Sequence, residues 1–397
     1  IHVPPEHRAL YHAAASMASN FLVTLEAAAE RLGAACGVDR AGLAPLVRAA
    51  ADNWATLGQP RRCPDRSRAA TISPRRGSGR RLPAPRRICC RCGMHSRARL
   101  RYSPRTRAGV DAMRVVRFIP ELRLALDAER RAGRRVGFVP TMGAFHEGHL
   151  SLMRRARAEC EVVVVSLFVN PAQFNDAADL AGYPRDDARD ERLAGAEGVH
   201  LLFIPPVEEI YPPGFATSVE VRGVSEPLEG LARGAAHFRG VATVVAKLFH
   251  MVEPDVAYLG QKDAQQSIVI RHLVRDLDMR VRIEVCPTVR ESDGLAMSSR
   301  NVRLSPEARA RAVGLNDALR AAEAALKTGQ RSATVILGRA RDALAARGIG
   351  AGDVEYLAVV DPETLTPVHV VETHALIVIA ARVGGVRLID NAVVGVA

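Results

Sequence analysis

The sequence predicts an α/β protein, a doubly wound, Rossmann-like parallel sheet followed by a smaller α+β C-terminal domain. Three observations predict it. Between residues 119 and 285, short apolar runs alternate with segments of helical period, and that alternation implies parallel strands joined by helices. One run, Val162 to Phe168, is continuously apolar, as strands buried on both faces are. After Pro287 the pattern changes to two long helical stretches and then three strand-like runs.

The chain before residue 113 is of another kind. Residues 6–34 read as helix, with Leu10, Met17, Phe21, Leu25 and Leu32 near a 3.6-residue period. Asp39 is the expected N-cap of a second helix through about Leu57. This pair resembles a fragment of the C-terminal helical domain of a Rossmann-type, dehydrogenase-like family, and 1–60 is too short to bury a core of its own. Residues 61–112 are rich in Arg, Pro and Ser and lack hydrophobic periodicity, so disorder is expected. They hold sixteen Arg and only Asp65 and Asp111 as acids. Of the net +12, this segment therefore carries +14 and the rest of the chain −2. The nucleic-acid-binding class that such a charge suggests is disfavoured, since Tyr102 is the one aromatic available for base stacking. Cys89, Cys90 and Cys92 form a single clump without the distant second pair of a zinc site. The scattered Cys36, Cys160 and Cys286 fit a reduced, cytoplasmic protein. No apolar run reaches the roughly 18 residues of a membrane span, and Ile1 to Pro5 do not open a secretory signal. The composition of 61–112 matches out-of-frame translation of a GC-rich gene, with sense resuming at Met113.

From Met113 the order is regular. A helix over 119–131 is entered through Pro120. A strand over Val136–Val139 is stopped by Pro140 to Gly143. His146 and His149 follow, three apart on one face, and helical spacing begins at Leu150, Met153 and Ala156. A strand, a glycine turn and a helix start direct backbone N–H groups and a helix dipole at an anion. Strand 162–168 ends in Asn170-Pro171-Ala172-Gln173-Phe174. A helix near 186–197, a strand 199–204, a helix 240–252 and a strand 256–259 follow. The last ends in Gly260-Gln261-Lys262-Asp263-Ala264-Gln265-Gln266. Helix 265–276 and strand 281–285 complete the alternation. Helices are expected over 306–327 and 331–347, and strands over 354–360, 374–382 and 386–389. The joint between the domains, 113–288 and 289–397, carries Met297-Ser298-Ser299-Arg300-Asn301.

Four motifs, at 140–149, 168–174, 260–266 and 297–301, stand in the order and spacing of one family. Residues 113–391 resemble the pantoate–β-alanine ligases, which belong to the HIGH-type nucleotidyl-transferase superfamily. The resemblance implies that pantoate attacks the α-phosphate of ATP and that β-alanine then attacks the adenylate, giving pantothenate, AMP and pyrophosphate. It implies catalytic roles for His149, His146, Lys262, Ser298, Ser299 and Arg300. It implies ATP binding by Met142, Gly143, Ala144, Phe145, His146, Glu147, Gly148 and His149, by Gly260, Gln261, Lys262 and Asp263, and by Val289, Met297, Ser298, Ser299 and Arg300. Gln173, Gln266, Asn170 and His237 would hold pantoate and β-alanine, and Asp190 would hold Mg2+. A homodimer is implied as well. Within enzymes the competing reading is a nucleotidylyltransferase, which shares the His-x-Gly-His turn. One departure stands out: the family's Arg-Pro-Gly-His-Phe is here Arg233-Gly234-Ala235-Ala236-His237-Phe238. The glycine–alanine stretch predicts a looser loop, with Arg233 and His237 less well placed and substrates bound more weakly. A chain beginning at Met113 is expected to fold and keep full activity; an insoluble or inactive product would overturn the assignment of the start.

Overall fold

Six apolar runs pair in parallel into one sheet. They are β1 (Arg114–Val116), β2 (Val136–Thr141), β3 (Val162–Leu167), β4 (Leu201–Phe203), β5 (Val256–Gly260) and β6 (Arg282–Cys286), in the spatial order β1-β4-β3-β2-β5-β6. The computed structural model describes residues 113–175 and 180–396, together with 29, 39–45, 47 and 48. The last group lies in a separate unit, 1–100, and residues 101–397 form the other. Of the N-terminal expectations, the cap is met: the Asp39 carboxylate accepts the Gly42 N–H at 3.0 Å. The first helix and the Arg-rich segment lie outside the described residues.

Helices cover both faces of the sheet. Those described are α1 (Ile119–Arg131), α2 (Glu147–Glu159), α3 (Asp187–Ala196), α4 (Val207–Ile210), α5 (Glu229–Arg233), α6 (Ala235–Val252) and α7 (Ala264–Asp276). Alternation along the strands sorts the core into two layers. Phe138 and Val164 join Leu122 and Leu126 of α1, Phe249 of α6 and Ile270 of α7. Val139, Val163 and Val165 join Met153 and Ala156 of α2 and Ala194 of α3. All six residues of β3 are buried. Each buried Val or Leu of the strand stabilises the fold by about 1.5–3 kcal/mol relative to exposure.

The ladder between β2 and β5 is short. β2 pairs with β3 over six positions, Val136↔Val162 to Thr141↔Leu167. It pairs with β5 at two alone, Gly137↔Val256 and Phe138↔Ala257. Beyond Phe138 the strands part, at the point where the winding direction of the sheet reverses. This explains a boundary the sequence misplaced. Pro140 does not stop β2, because it lies past the last β5 pair, where a missing N–H breaks no ladder on that side.

The smaller layer has α8 (Pro306–Ala312), α9 (Gly314–Lys327) and α10 (Ala333–Ala346) packed on an antiparallel sheet of β7 (Val354–Val360), β8 (His374–Val383) and β9 (Val386–Gly395). The single helix expected over 306–327 is broken at Val313. β9 runs six residues beyond the predicted end at 389. Asp390 and Asn391 lie in this extension, and both are buried and paired. The segment expected as a loop at 233–238 is helical on both sides of Gly234. Gly234, at φ +82°, joins α5 directly to α6, which begins at Ala235 rather than 240. A second glycine lets α6 approach its neighbour: a Cβ on Gly240 would stand 2.2 Å from the Ala172 carbonyl oxygen.

Asp390 is 1% exposed in its side chain and takes both terminal nitrogens of Arg290, at 2.6 and 3.0 Å. Replacing it, D390A, strands Arg290 and should cost about 3 kcal/mol, the low end for a broken buried pair because Arg290 is partly exposed. Urea unfolding of the variant measures this; a loss below about 1 kcal/mol would contradict it.

Candidate active site

The parted ends of β2 and β5 open into a cavity that also reaches α6, the 287–301 segment and the small sheet. His146 caps α2, and its Nδ1 accepts the Gly148 N–H at 3.2 Å. His149 Nδ1 accepts the His146 N–H at 3.3 Å. With Nδ1 occupied as an acceptor, each neutral ring carries its proton on Nε2 and is a donor there. Burial, helped by Lys262, lowers the His146 pKa to about 4. Burial and the neighbouring His146 lower that of His149 to about 3. The ring centroids are 4.1 Å apart. Two cations so close would repel, so the pair works as neutral donors.

The loop between β2 and α2 is held from below. Gly143 and Ala144 have positive φ, 83° and 53°, which turns the Ala144 and Phe145 N–H groups onto Asp190 at 2.7 and 2.8 Å. The magnesium role expected of Asp190 does not fit this position: its side chain is 1% exposed and both oxygens anchor the loop. Nor do the loop amides face an anion as expected, since those of Gly143, Ala144, Phe145, His146 and Gly148 are bonded internally. Met142, His146, Gly148 and His149 line the cavity. Phe145 lies in the core, and Glu147 pairs with Arg154.

At the end of β5, Gly260, Lys262 and Asp263 line the opposite wall, and Lys262 Nζ pairs with Asp263 at 3.2 Å. Gln261, expected at the nucleotide, instead donates to Asn391 Oδ1 at 2.9 Å. Asn391 Nδ2 returns bonds to the carbonyls of Gln261 and Lys262, both at 2.9 Å. Val289, Met297, Ser298, Ser299 and Arg300 are brought to the same cavity. Ser298 caps the 3-10 turn by accepting the Arg300 N–H at 3.3 Å. Tyr183 bonds Ser299.

Gln173, Gln266, Asn170 and His237 also line the cavity, as expected. Asn170 is 1% exposed and spent on support: Nδ2 donates to Gln173 Oε1 at 2.9 Å and to the Gly240 carbonyl, and Oδ1 accepts from Tyr211. Gln265, beside Gln266, is likewise structural, holding the Val224 and Pro227 carbonyls. His237 Nδ1 lies 2.8 Å from the Gln173 carbonyl, so it must donate there, leaving the lone pair on Nε2. Burial, then Arg233, lowers its pKa to about 4.

Sequence reasoning missed a cluster at the far wall. Glu229 is buried and accepts from Arg387 at 2.5 and 2.9 Å, from Arg233 Nε at 2.9 Å and from the Tyr356 hydroxyl at 2.7 Å. Burial opposes its charge, but Arg387 and then Arg233 hold its carboxyl down at about 2.

A cleft offering neutral donors and cations to an anion, at the switch point of a parallel sheet, belongs to the α/β enzymes that work on nucleotide phosphates. Comparison with known proteins narrows that class. The family model described as pantoate-beta-alanine ligase matches residues 114–393, and a domain of unknown function, DUF2520, matches 1–63. Pantothenate synthetase of Cereibacter sphaeroides is 53% identical over 277 residues, covering 70% of this chain and 98% of its own. That of Thermotoga neapolitana is 50% identical over 283 residues, 71% of this chain and all of its own. The crystal structure of pantothenate synthetase from Thermus thermophilus superposes with a TM-score of 0.66 at 49% identity, over 70% of this chain and 99% of that one. The pantoate-beta-alanine ligase of Francisella tularensis, complexed with beta-gamma ATP and beta-alanine, gives 0.59 at 33% identity, over 71% and 97%. The chain belongs to the pantoate–β-alanine ligase family.

The three histidines set a pH dependence. Their folded pKa values, about 4, 3 and 4, lie below the ordinary 6.5. Below about pH 6.5 the unfolded chain therefore binds protons that the folded chain refuses, and stability falls as pH falls toward 4. Over the middle of that window each histidine contributes a slope of about 1.4 kcal/mol per pH unit. Urea midpoints between about pH 5 and 7 should show it, with a shallower slope in H149Q and H237Q. An unaltered slope in both variants would contradict the assignment.

Proposed function

We propose that residues 113–396 catalyse the ATP-dependent condensation of (R)-pantoate with β-alanine to pantothenate, through a pantoyl adenylate, releasing pyrophosphate and AMP. The observation that carries this reading is one cavity shared by His146, His149, Lys262 and Ser298 to Arg300 on its phosphate side and by Gln173 and Gln266 beside them. A carboxylate attacking a phosphate needs developing charge stabilised more than it needs a base. The Nε2–H groups of His146 and His149 donate to phosphate oxygens without adding charge, and Lys262 supplies the compact cation. Ser298, Ser299 and Arg300 close over the same phosphates from the smaller domain, 289–397. Gln173, held by Asn170 and by His237, and Gln266 meet the hydroxyls and carboxylate of pantoate with neutral amides.

Among the described residues no three His, Cys, Asp or Glu side chains are grouped to hold a metal, and Asp190 is committed to the loop. Magnesium accordingly enters this reading with the phosphates of ATP, and no step is assigned to a protein-held ion. A cytoplasmic homodimer accompanies the reading; among the described residues no helix is long and apolar enough to cross a membrane.

The test is product analysis. AMP should form only when both pantoate and β-alanine are present, while pantoate alone releases pyrophosphate in the first half-reaction and supports its exchange into ATP. A product that retains the nucleotide would assign the chain to nucleotidyl transfer instead.

A further inference from the structure

Arg233 closes α5 at the cavity wall and is 25% exposed in its side chain. Its Nε is fixed by Glu229, while its terminal nitrogens make no hydrogen bond to any described residue. The neighbouring Arg387 of this wall is committed. It places both terminal nitrogens on Glu229 and its Nε on Glu355. Glu229 itself has three further bonds, from Arg387 and Tyr356, so it grips one edge of the Arg233 guanidinium and leaves the outer edge to the cavity.

His237 stands just beyond Gly234 and lines the same cavity. Its Nδ1–H is fixed on the Gln173 carbonyl, which leaves a lone pair on Nε2. His146 and His149 have the opposite polarity, with Nδ1 accepting and Nε2 donating. The wall thus offers a two-pronged cation and, a short distance along the chain, a neutral acceptor. A short ω-amino acid presents the complementary pair, a carboxylate at one end and an amine at the other.

The reaction gives these ends different fates. The pantoate carboxylate must lie at the α-phosphate, on the side of His146, His149 and Lys262. The β-alanine carboxylate passes unreacted into the product and needs its own charge partner. We propose that the outer edge of Arg233, clamped by Glu229 with Arg387 and Tyr356 behind it, binds the carboxylate of β-alanine while His237 Nε2 accepts a hydrogen bond from its amine. This rests on the function proposed above. It makes Glu229, Tyr356 and Arg387 positioning residues, because they reach the substrate through Arg233.

The experiment separates the two half-reactions. R233M removes the guanidinium but leaves Glu229 bonded to Arg387 and Tyr356; R233K keeps the charge without the fork and carries the test if R233M fails to fold. Pantoate-dependent exchange of pyrophosphate into ATP reports the first half-reaction. Condensation is then followed with β-alanine and with β-alaninamide, which keeps the amine and lacks the carboxylate. In R233M exchange should stay within about twofold of wild type, and the KM for β-alanine should rise about 10- to 100-fold, as for a lost charge-assisted pair. The KM for β-alaninamide should not move, and R233K should fall between. An unmoved KM for β-alanine, an equal rise for the amide, or a rise in the KM for pantoate with lost exchange would each overturn the assignment. Absence of exchange in the unsubstituted enzyme would overturn the function itself, and this inference with it.

Discussion

The two-pair ladder between β2 and β5 is the constraint on which the site depends. Had β2 and β5 stayed paired to their ends, there would be no room for a ligand between them. Here β2 remains registered with β3 for its whole length while β5 turns away toward β6. The histidine loop leaves from one lip of the resulting gap and the lysine turn from the other. Hydrophobic packing on both faces fixes the strands, so the gap is as rigid as the core that frames it.

A second principle follows from how polar groups are paired. Asp190 takes two loop amides, Asp390 takes Arg290, and Glu229 takes two arginines and a tyrosine. Each buried carboxylate is satisfied by groups that it also orients, so negative charge in the wall is neutralised before a substrate arrives. Donors that an anionic substrate can use remain in the cavity, among them two imidazole Nε2–H groups, the Lys262 ammonium, the outer edge of Arg233 and the Ser298–Arg300 segment.

Much of this was legible in the sequence. Apolar runs such as Val162 to Leu167 state their burial directly, and His146, Lys262 and Ser298 sit at strand or helix ends, where local spacing marks them. What was not legible is pairing at long range. Arg387 meets Glu229 across 158 positions, and neither has a local pattern that names the other. The end of β9 was missed for a related reason: the partners that let the polar Asp390 and Asn391 continue the strand, Arg290 and the Gln261–Lys262 carbonyls, come from distant parts of the sequence. Asp190 was assigned by its charge and sequence position, whereas its role is set by the positive φ angles of Gly143 and Ala144. The helical path on both sides of Gly234 was not legible either, because the groups that hold Arg233 and His237, the Glu229 carboxylate and the Gln173 carbonyl, are not marked by local spacing.

Strand β9 gathers these threads. Arg387 steadies the far wall, Asp390 the 290–301 segment and Asn391 the lysine turn, all within five residues. A ribosome making this chain would release the whole parallel sheet, both histidines and the lysine well before the strand that fastens them. The order of synthesis thus places the segment that fastens the site, and the hairpin it closes with β8, last.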